Sequence, residues 1–184
     1  MIINRYVRNH PIDIVSCQLG IPLSYKQECI DEIIKLGDSQ NNTTHVKASM
    51  SHWRIWNESN VFNKLLDNIL DFINKNYPNQ ENKYKYEFKE VWGATYKKGD
   101  YSNKHHHLPA RTSFVYYLKE TRNATPLIFP KKDLQIFPKD DLLVVFPSNI
   151  FHKVPPKLDD DLRICLAGNL DYITEMHPNP VKVK

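Results

Sequence analysis

The apolar residues of this chain change their period once, near residue 80, and that change limits the folds open to it. Cys29, Ile30, Ile33, Ile34 and Leu36 recur at the spacing of one helix face. Ser24, with Gln27 three residues on, has the capping-box pattern for the start of that helix. Gly37 stands where it would stop. Val61, Phe62, Leu65, Leu66, Ile69, Leu70 and Ile73 form a broader stripe over 59–76, with Pro78 just beyond. From there Tyr84, Tyr86 and Phe88 alternate with Lys85, Glu87 and Lys89, which is strand spacing. Short strands are predicted at 83–96, 101–107, 112–119, 126–130, 134–137, 142–146, 150–154 and 162–171. An earlier β-branched run, 11–19, reads as one more strand, and 38–45 as a loop. Helices followed by strands predict an α+β chain, with helices laid over a β-sandwich or jelly roll.

No internal repeat or long linker divides the chain. The expectation is a single domain over 1–184, with 1–80 as helical support, 81–175 as the β core and an irregular tail from Met176. A chain of 184 residues can bury roughly 70% of its unfolded surface, so it needs no disulfide. Cys17, Cys29 and Cys165 cannot all pair and form no C-x-x-C, so they read as reduced thiols of a cytoplasmic protein. The N-terminus has no signal-peptide h-region. No apolar run approaches the about 18 residues of a membrane span. The sum of 25 basic and 21 acidic residues is +4, with the two signs interspersed. That argues against a dedicated nucleic-acid binder, whose basic residues cluster.

Three histidines stand together at His105-His106-His107, and His152 follows 45 residues after the last of them. On a strand through 107, His105 and His107 would share a face, about 7 Å apart, and His106 would point the other way. Two such imidazoles can grip one metal ion, and a third ligand must come from elsewhere. His152 follows the apolar run Leu142–Phe146 and a turn, and is placed to return beside them. Arg163 opens the apolar strand Ile164-Cys165-Leu166-Ala167. A guanidinium entering a buried strand is costly unless it meets an anion. It could instead pair with Asp159, Asp160 or Asp161. His10, His45, His52 and His177 have no such company and read as surface or loop residues.

The order H-x-H, distal His, Arg resembles the core of the 2-oxoglutarate- and Fe(II)-dependent oxygenases, most of all the small prolyl-hydroxylase-like members of phages and bacteria. The matching text runs from Trp92 to Asn169. It includes Tyr96-Lys97-Lys98-Gly99-Asp100-Tyr101, Ser113-Phe114-Val115-Tyr116-Tyr117-Leu118, Leu127-Ile128-Phe129-Pro130 and Leu142–Ser148. Upstream, Val46-Lys47-Ala48-Ser49-Met50 with Trp53 is similar to the phage-associated members. The family's fold, a double-stranded β-helix (jelly roll, cupin-like) with flanking helices, agrees with the pattern above.

The resemblance implies Fe(II) held by His105, His107 and His152, and 2-oxoglutarate as co-substrate. It places Arg163 on the far carboxylate of 2-oxoglutarate, where a planar fork fits bidentately, with Tyr117 and Tyr96 as phenols beside it. It puts Tyr101 and Trp92 toward the substrate. Cys165, two residues past Arg163, is expected to face the same pocket. The implied reaction hydroxylates an unactivated C–H, with succinate and CO2 as co-products, and the implied substrate is a prolyl residue of a peptide or protein. The chain departs from the common pattern twice. His107 replaces the usual carboxylate of the iron triad, leaving one negative charge fewer on the metal and admitting Zn²⁺ as an alternative ion. The loop Thr121-Arg122-Asn123-Ala124-Thr125 lacks glycine. A free metabolite or a nucleobase as substrate remains open, as do a non-catalytic cupin-like metal- or ligand-binding module and a virion or scaffold protein. The sequence leaves the oligomeric state undetermined.

Overall fold

Alternate residues of one central strand feed two separate cores. Phe114, Tyr116 and Leu118 point toward a core shared with the helices, while Val115 and Tyr117 point into a second core on the opposite face. This period-2 division is what a strand buried on both sides requires. The computed structural model describes residues 2–6, 14–39, 44–77, 84–119 and 123–173. Residues 11–13, 40–43, Pro78, Thr121 and Arg122, the tail from Met176, and His10 and His177 lie outside the described residues.

The elements in chain order are β1 (Ile3–Tyr6), β2 (Ile14–Gln18), α1 (Leu23–Leu36), β3 (Val46–Lys47), β4 (Ser49–Met50) and α2 (Asn63–Asn76). Then come β5 (Tyr86–Tyr96), β6 (Tyr101–His105), β7 (Thr112–Lys119), β8 (Leu127–Phe129), β9 (Leu134–Ile136), β10 (Leu142–Pro147), β11 (His152–Val154) and β12 (Arg163–Tyr172). Short 3-10 turns at Ile55–Asn57 and Asn60–Phe62 precede α2, and another, Pro130–Lys132, links β8 to β9. The strands form a seven-stranded sheet, β1-β2-β10-β7-β12-β5-β4, and a five-stranded sheet, β3-β6-β11-β8-β9. Every pairing between these strands is antiparallel.

Both helices pack on the seven-stranded sheet, α1 against β5 and β7 and α2 against β5. Their apolar stripes meet Val91, Phe114, Tyr116, Leu143, Ile164 and Leu166. The approach is close: a Cβ on Gly93 would lie 2.7 Å from the Ile33 side chain. Asp141, buried and at φ 66°, ties this layer together. Its carboxylate accepts from the N–H groups of Gly20 (2.6 Å) and Ile21 (3.1 Å) and from the Tyr116 hydroxyl (2.6 Å).

The structure corrects several boundaries. Ser24 does not cap α1: the helix begins at Leu23 behind Pro22, with no side-chain cap, and Ser24 lies inside its first turn. The second helix opens as a 3-10 turn, where Ser59 accepts from the Val61 N–H, before α2 proper begins at Asn63. The predicted strand 101–107 ends at His105, and 150–154 begins at His152. β1, β3 and β4 carry no sequence signal of their own. They are two to four residues long and owe their form to the neighbours they pair with. The three cysteines are free and buried.

Candidate metal and carboxylate site

Between the two sheets lies a cavity of about 60 Å³, several times the room one water needs. One end is built from histidines. His105 ends β6 and His152 begins β11, and the two are direct cross-strand partners, with ring centroids 4.3 Å apart. His107 reaches the same point from beyond the end of β6. Strand alternation therefore does not place it; a loop does, anchored by its backbone N–H on the Ser148 carbonyl at 2.7 Å. His107 Nε2 lies 3.3 Å from His152 Nε2, and one ligand nitrogen from each of the three rings falls within 4.8 Å of the others.

The outer nitrogens are tied to the backbone. His105 Nδ1 is 2.7 Å from the Asn103 carbonyl, and His152 Nδ1 is 3.1 Å from the Ile150 carbonyl. A carbonyl can only accept, so each Nδ1 carries the proton and each Nε2 presents its lone pair to the centre. Burial, and then the neighbouring imidazoles, push His107 down to about 2 and His152 to about 3. Burial also lowers His105, outweighing the Asn103 carbonyl. The three rings are neutral at ordinary pH, which is the form that binds metal.

The other end holds a cation. Arg163 is 1% exposed at the start of β12, directly across from Tyr96 on β5. Its Nη2 donates to the Thr125 carbonyl (2.7 Å) and to Thr125 Oγ1 (2.8 Å), and its guanidinium lies 5.7 Å from the centre of the Tyr96 ring. No acidic group among the described residues pairs with it; Asp159 bonds Lys157 and Asp160 bonds Lys98. The buried Nε of Arg163 has no hydrogen-bond partner among the described residues. Cys165, two residues on, lines the same cavity, as do Tyr117 and Tyr96. Burial raises both phenols, outweighing the guanidinium, so they keep their protons and can donate. Burial likewise pushes the Cys165 thiol up to about 12.

Trp92 lines the cavity with its ring 5.9 Å from that of His107. Tyr101 does not line it: it sits at the start of β6 on the outer face, paired with Lys47 and 36% exposed. Thr125 and Ser148 are contributors the sequence did not single out. Neither residue type is rare, and only the folded chain shows what each one holds.

Ser148 belongs to a buried chain of hydrogen bonds. Asn169 Nδ2 donates to Glu90 (2.9 Å), Ser113 Oγ donates to Asn169 Oδ1 (2.8 Å), and the Ser113 and Ser148 hydroxyls are 2.7 Å apart. The chain crosses β5, β12 and β7 and ends on the residue that receives the His107 N–H. Asn169→Leu leaves Ser113 and Glu90 without this partner. It is expected to destabilise the protein by roughly 1–3 kcal/mol in urea unfolding and to weaken metal uptake by about tenfold, as outer-shell changes do. Unchanged metal affinity would reduce the network to a purely structural role.

No family model matches the chain, and no curated protein matches its sequence. Solved structures do. The viral collagen prolyl hydroxylase of Paramecium bursaria Chlorella virus-1, in its 2-oxoglutarate complex, is 18% identical, with a TM-score of 0.65 over 85% of this chain and 94% of that one. A Pseudomonas putida prolyl-4-hydroxylase is 16% identical, with a TM-score of 0.63 over 88% and 93%. HygX of Streptomyces hygroscopicus, with nickel and 2-oxoglutarate bound, is 10% identical, with a TM-score of 0.62 over 86% and 82%. The resemblance carried by the histidines and Arg163 is met in three dimensions: this chain has the fold of the prolyl hydroxylases and 2-oxoglutarate/Fe(II) oxygenases.

Proposed function

We propose that the protein is a 2-oxoglutarate- and Fe(II)-dependent dioxygenase that hydroxylates a prolyl residue of a peptide or protein. The observation that carries this reading is the pairing, in one cavity, of three convergent neutral imidazoles with a buried guanidinium that has no acidic partner among the described residues. The donor set fits the groups implied. His105 and His152 offer the metal Nε2 atoms already in the correct tautomer, and His107 brings its Nε2 to the same point. Arg163, with an unpartnered buried Nε, fits a carboxylate. The two sheets are then those of a double-stranded β-helix, and 1–184 is one oxygenase domain.

When bound, Fe(II) with 2-oxoglutarate and O2 supplies the oxidation that places an oxygen atom in a C–H bond and releases succinate and CO2. The chain's own residues do the rest. Arg163 fixes the far carboxylate of 2-oxoglutarate, with the protonated phenols of Tyr117 and Tyr96 donating beside it. The apolar walls exclude water and strengthen these contacts. Trp92 shapes the wall next to His107, and Tyr101 meets the substrate from outside. Because His107 brings no charge, the 2-oxoglutarate dianion supplies the metal's neutralisation, so metal and co-substrate should bind cooperatively.

A second reading is favoured by the same three imidazoles: a neutral tri-histidine set also suits Zn²⁺ in a module without redox chemistry. One experiment separates the two. Anaerobic Fe(II) and 2-oxoglutarate should produce a visible charge-transfer band. Admission of O2 with proline-containing peptides should then add one oxygen to the peptide by mass spectrometry. Metal binding without the band would favour the module. Mass gain confined to free amino acids or bases would overturn the prolyl-peptide substrate.

A further inference from the structure

The face of the five-stranded sheet turned away from the cavity has a composition of its own. β3, β6, β8, β9, β11 and the turn after β8 carry Lys47, Lys104, Lys131, Lys132 and Lys153, against the single acid Asp133. Both helices lie on the other sheet. Basic residues interspersed with acids along the sequence are thus sorted in space. The ion pairs among the described residues involve other cations, so Lys104, Lys131, Lys132 and Lys153 have no acidic partner there.

Part of this charge gathers at residues next in sequence to the candidate ligands. Lys104 precedes His105, His106 lies between the first two candidate ligands, and Phe151 precedes the third. The Lys104 ammonium lies 5.5 Å, and that of Lys131 5.4 Å, from the centre of the Phe151 ring. The His106 ring meets it edge-on at 4.8 Å and 70°. A half-buried phenyl ring therefore gathers two exposed ammoniums from separate elements and holds them near one another. Like charges held together, without an acid between them, make a local positive field that attracts an anion.

We propose that this patch docks acidic residues flanking the segment of polypeptide that enters the cavity; the proposal rests on the oxygenase reading and names its substrate class. The local chemistry favours carboxylates over nucleic acid. A base needs an open aromatic face on which to stack, and the Phe151 ring already has two ammoniums over it and an imidazole at its edge. The sheet offers no arginine for bidentate phosphate contacts. Lysines act as point charges and suit scattered carboxylates. Each exposed pair is weak and screened by salt, so the expected signature is a moderate preference that fades as salt rises.

The test is fluorescence anisotropy with labelled proline-containing peptides that differ only in carrying glutamate, glutamine or lysine around the proline, alongside an oligothymidylate of the same charge as the glutamate peptide. The full-length protein is used, loaded with Ni(II) and 2-oxoglutarate. The glutamate peptide should bind about fivefold more tightly than the glutamine peptide at low salt, and the difference should shrink at high salt. In the double variant Lys104→Glu/Lys131→Glu, both positions being exposed, the preference should reverse toward the lysine peptide. Equal binding of the glutamate and glutamine peptides, or tighter binding of the oligothymidylate than of the glutamate peptide, would overturn the proposal. The charge-transfer band, read on the same protein with Fe(II), keeps the two readings apart. A missing band with the peptide preference intact sinks the oxygenase reading and leaves the docking face standing. A band without the preference sinks the docking face alone.

Discussion

Replacing Arg163 with alanine should abolish 2-oxoglutarate binding while metal uptake persists. The guanidinium is 1% exposed, lines the cavity, and hydrogen-bonds Thr125 rather than any of the three imidazoles. Without it, the far carboxylate of the co-substrate meets only the phenols of Tyr96 and Tyr117 and apolar walls. Truncating one partner of a buried, hydrogen-bonded charge pair costs roughly 2–5 kcal/mol, or about 30- to 4,000-fold in affinity. The variant should fold, because a buried cation without a counter-charge is itself expensive to keep and its removal relieves that penalty. Arg163→Lys should fall between: it keeps the charge and loses the planar fork. Calorimetric titration of 2-oxoglutarate into the Ni(II)-loaded protein measures both variants. Full co-substrate affinity in Arg163→Ala, or loss of the metal together with the co-substrate, would contradict the assigned role.

The second large effect is expected at His152. Its ring is in reach of both other imidazoles, and its Nδ1 is tied to the Ile150 carbonyl. His152→Ala removes one of three donors and leaves two, so the loss in metal affinity should exceed the roughly 10- to 100-fold that outer-shell changes cost. Cobalt(II) absorbance titration reads this directly, without any turnover. His107→Ala should behave the same way although its residue stands on a loop, because the Ser148 carbonyl fixes the backbone there. Undiminished cobalt uptake in either variant would mean that the cluster is not a metal site. The charge-transfer band should vanish in both.

Much of this arrangement is legible in the linear chain, for reasons that can be named. The change of period near residue 80 separates helices from strands because burial on one face imposes either a three-to-four-residue or a two-residue repeat. Alternation also places Arg163 and Cys165 on one face, and both line the cavity. It fails at His107, since strand β6 stops at His105 and the shared direction of the two rings comes from a loop contact far along the chain. Thr125 and Ser148 were invisible because they act through one hydroxyl or one carbonyl, and any residue has a carbonyl. The capping-box pattern at Ser24 misleads because the chain enters α1 from Pro22, which leaves Ser24 inside the first turn. The positive patch escaped notice because net charge averages over both faces of the molecule, whereas the fold segregates them.

The two ends of the cavity rest on elements of very different length. Arg163 opens a ten-residue strand, whereas His152 opens a strand of three residues; each strand has a neighbour on both sides, and only the length of the ladders differs. Local opening starts where the fewest hydrogen bonds hold a segment, so β11 is expected to fray before β12. An ion held by the imidazoles would then exchange while the long strand that carries the guanidinium stays in register.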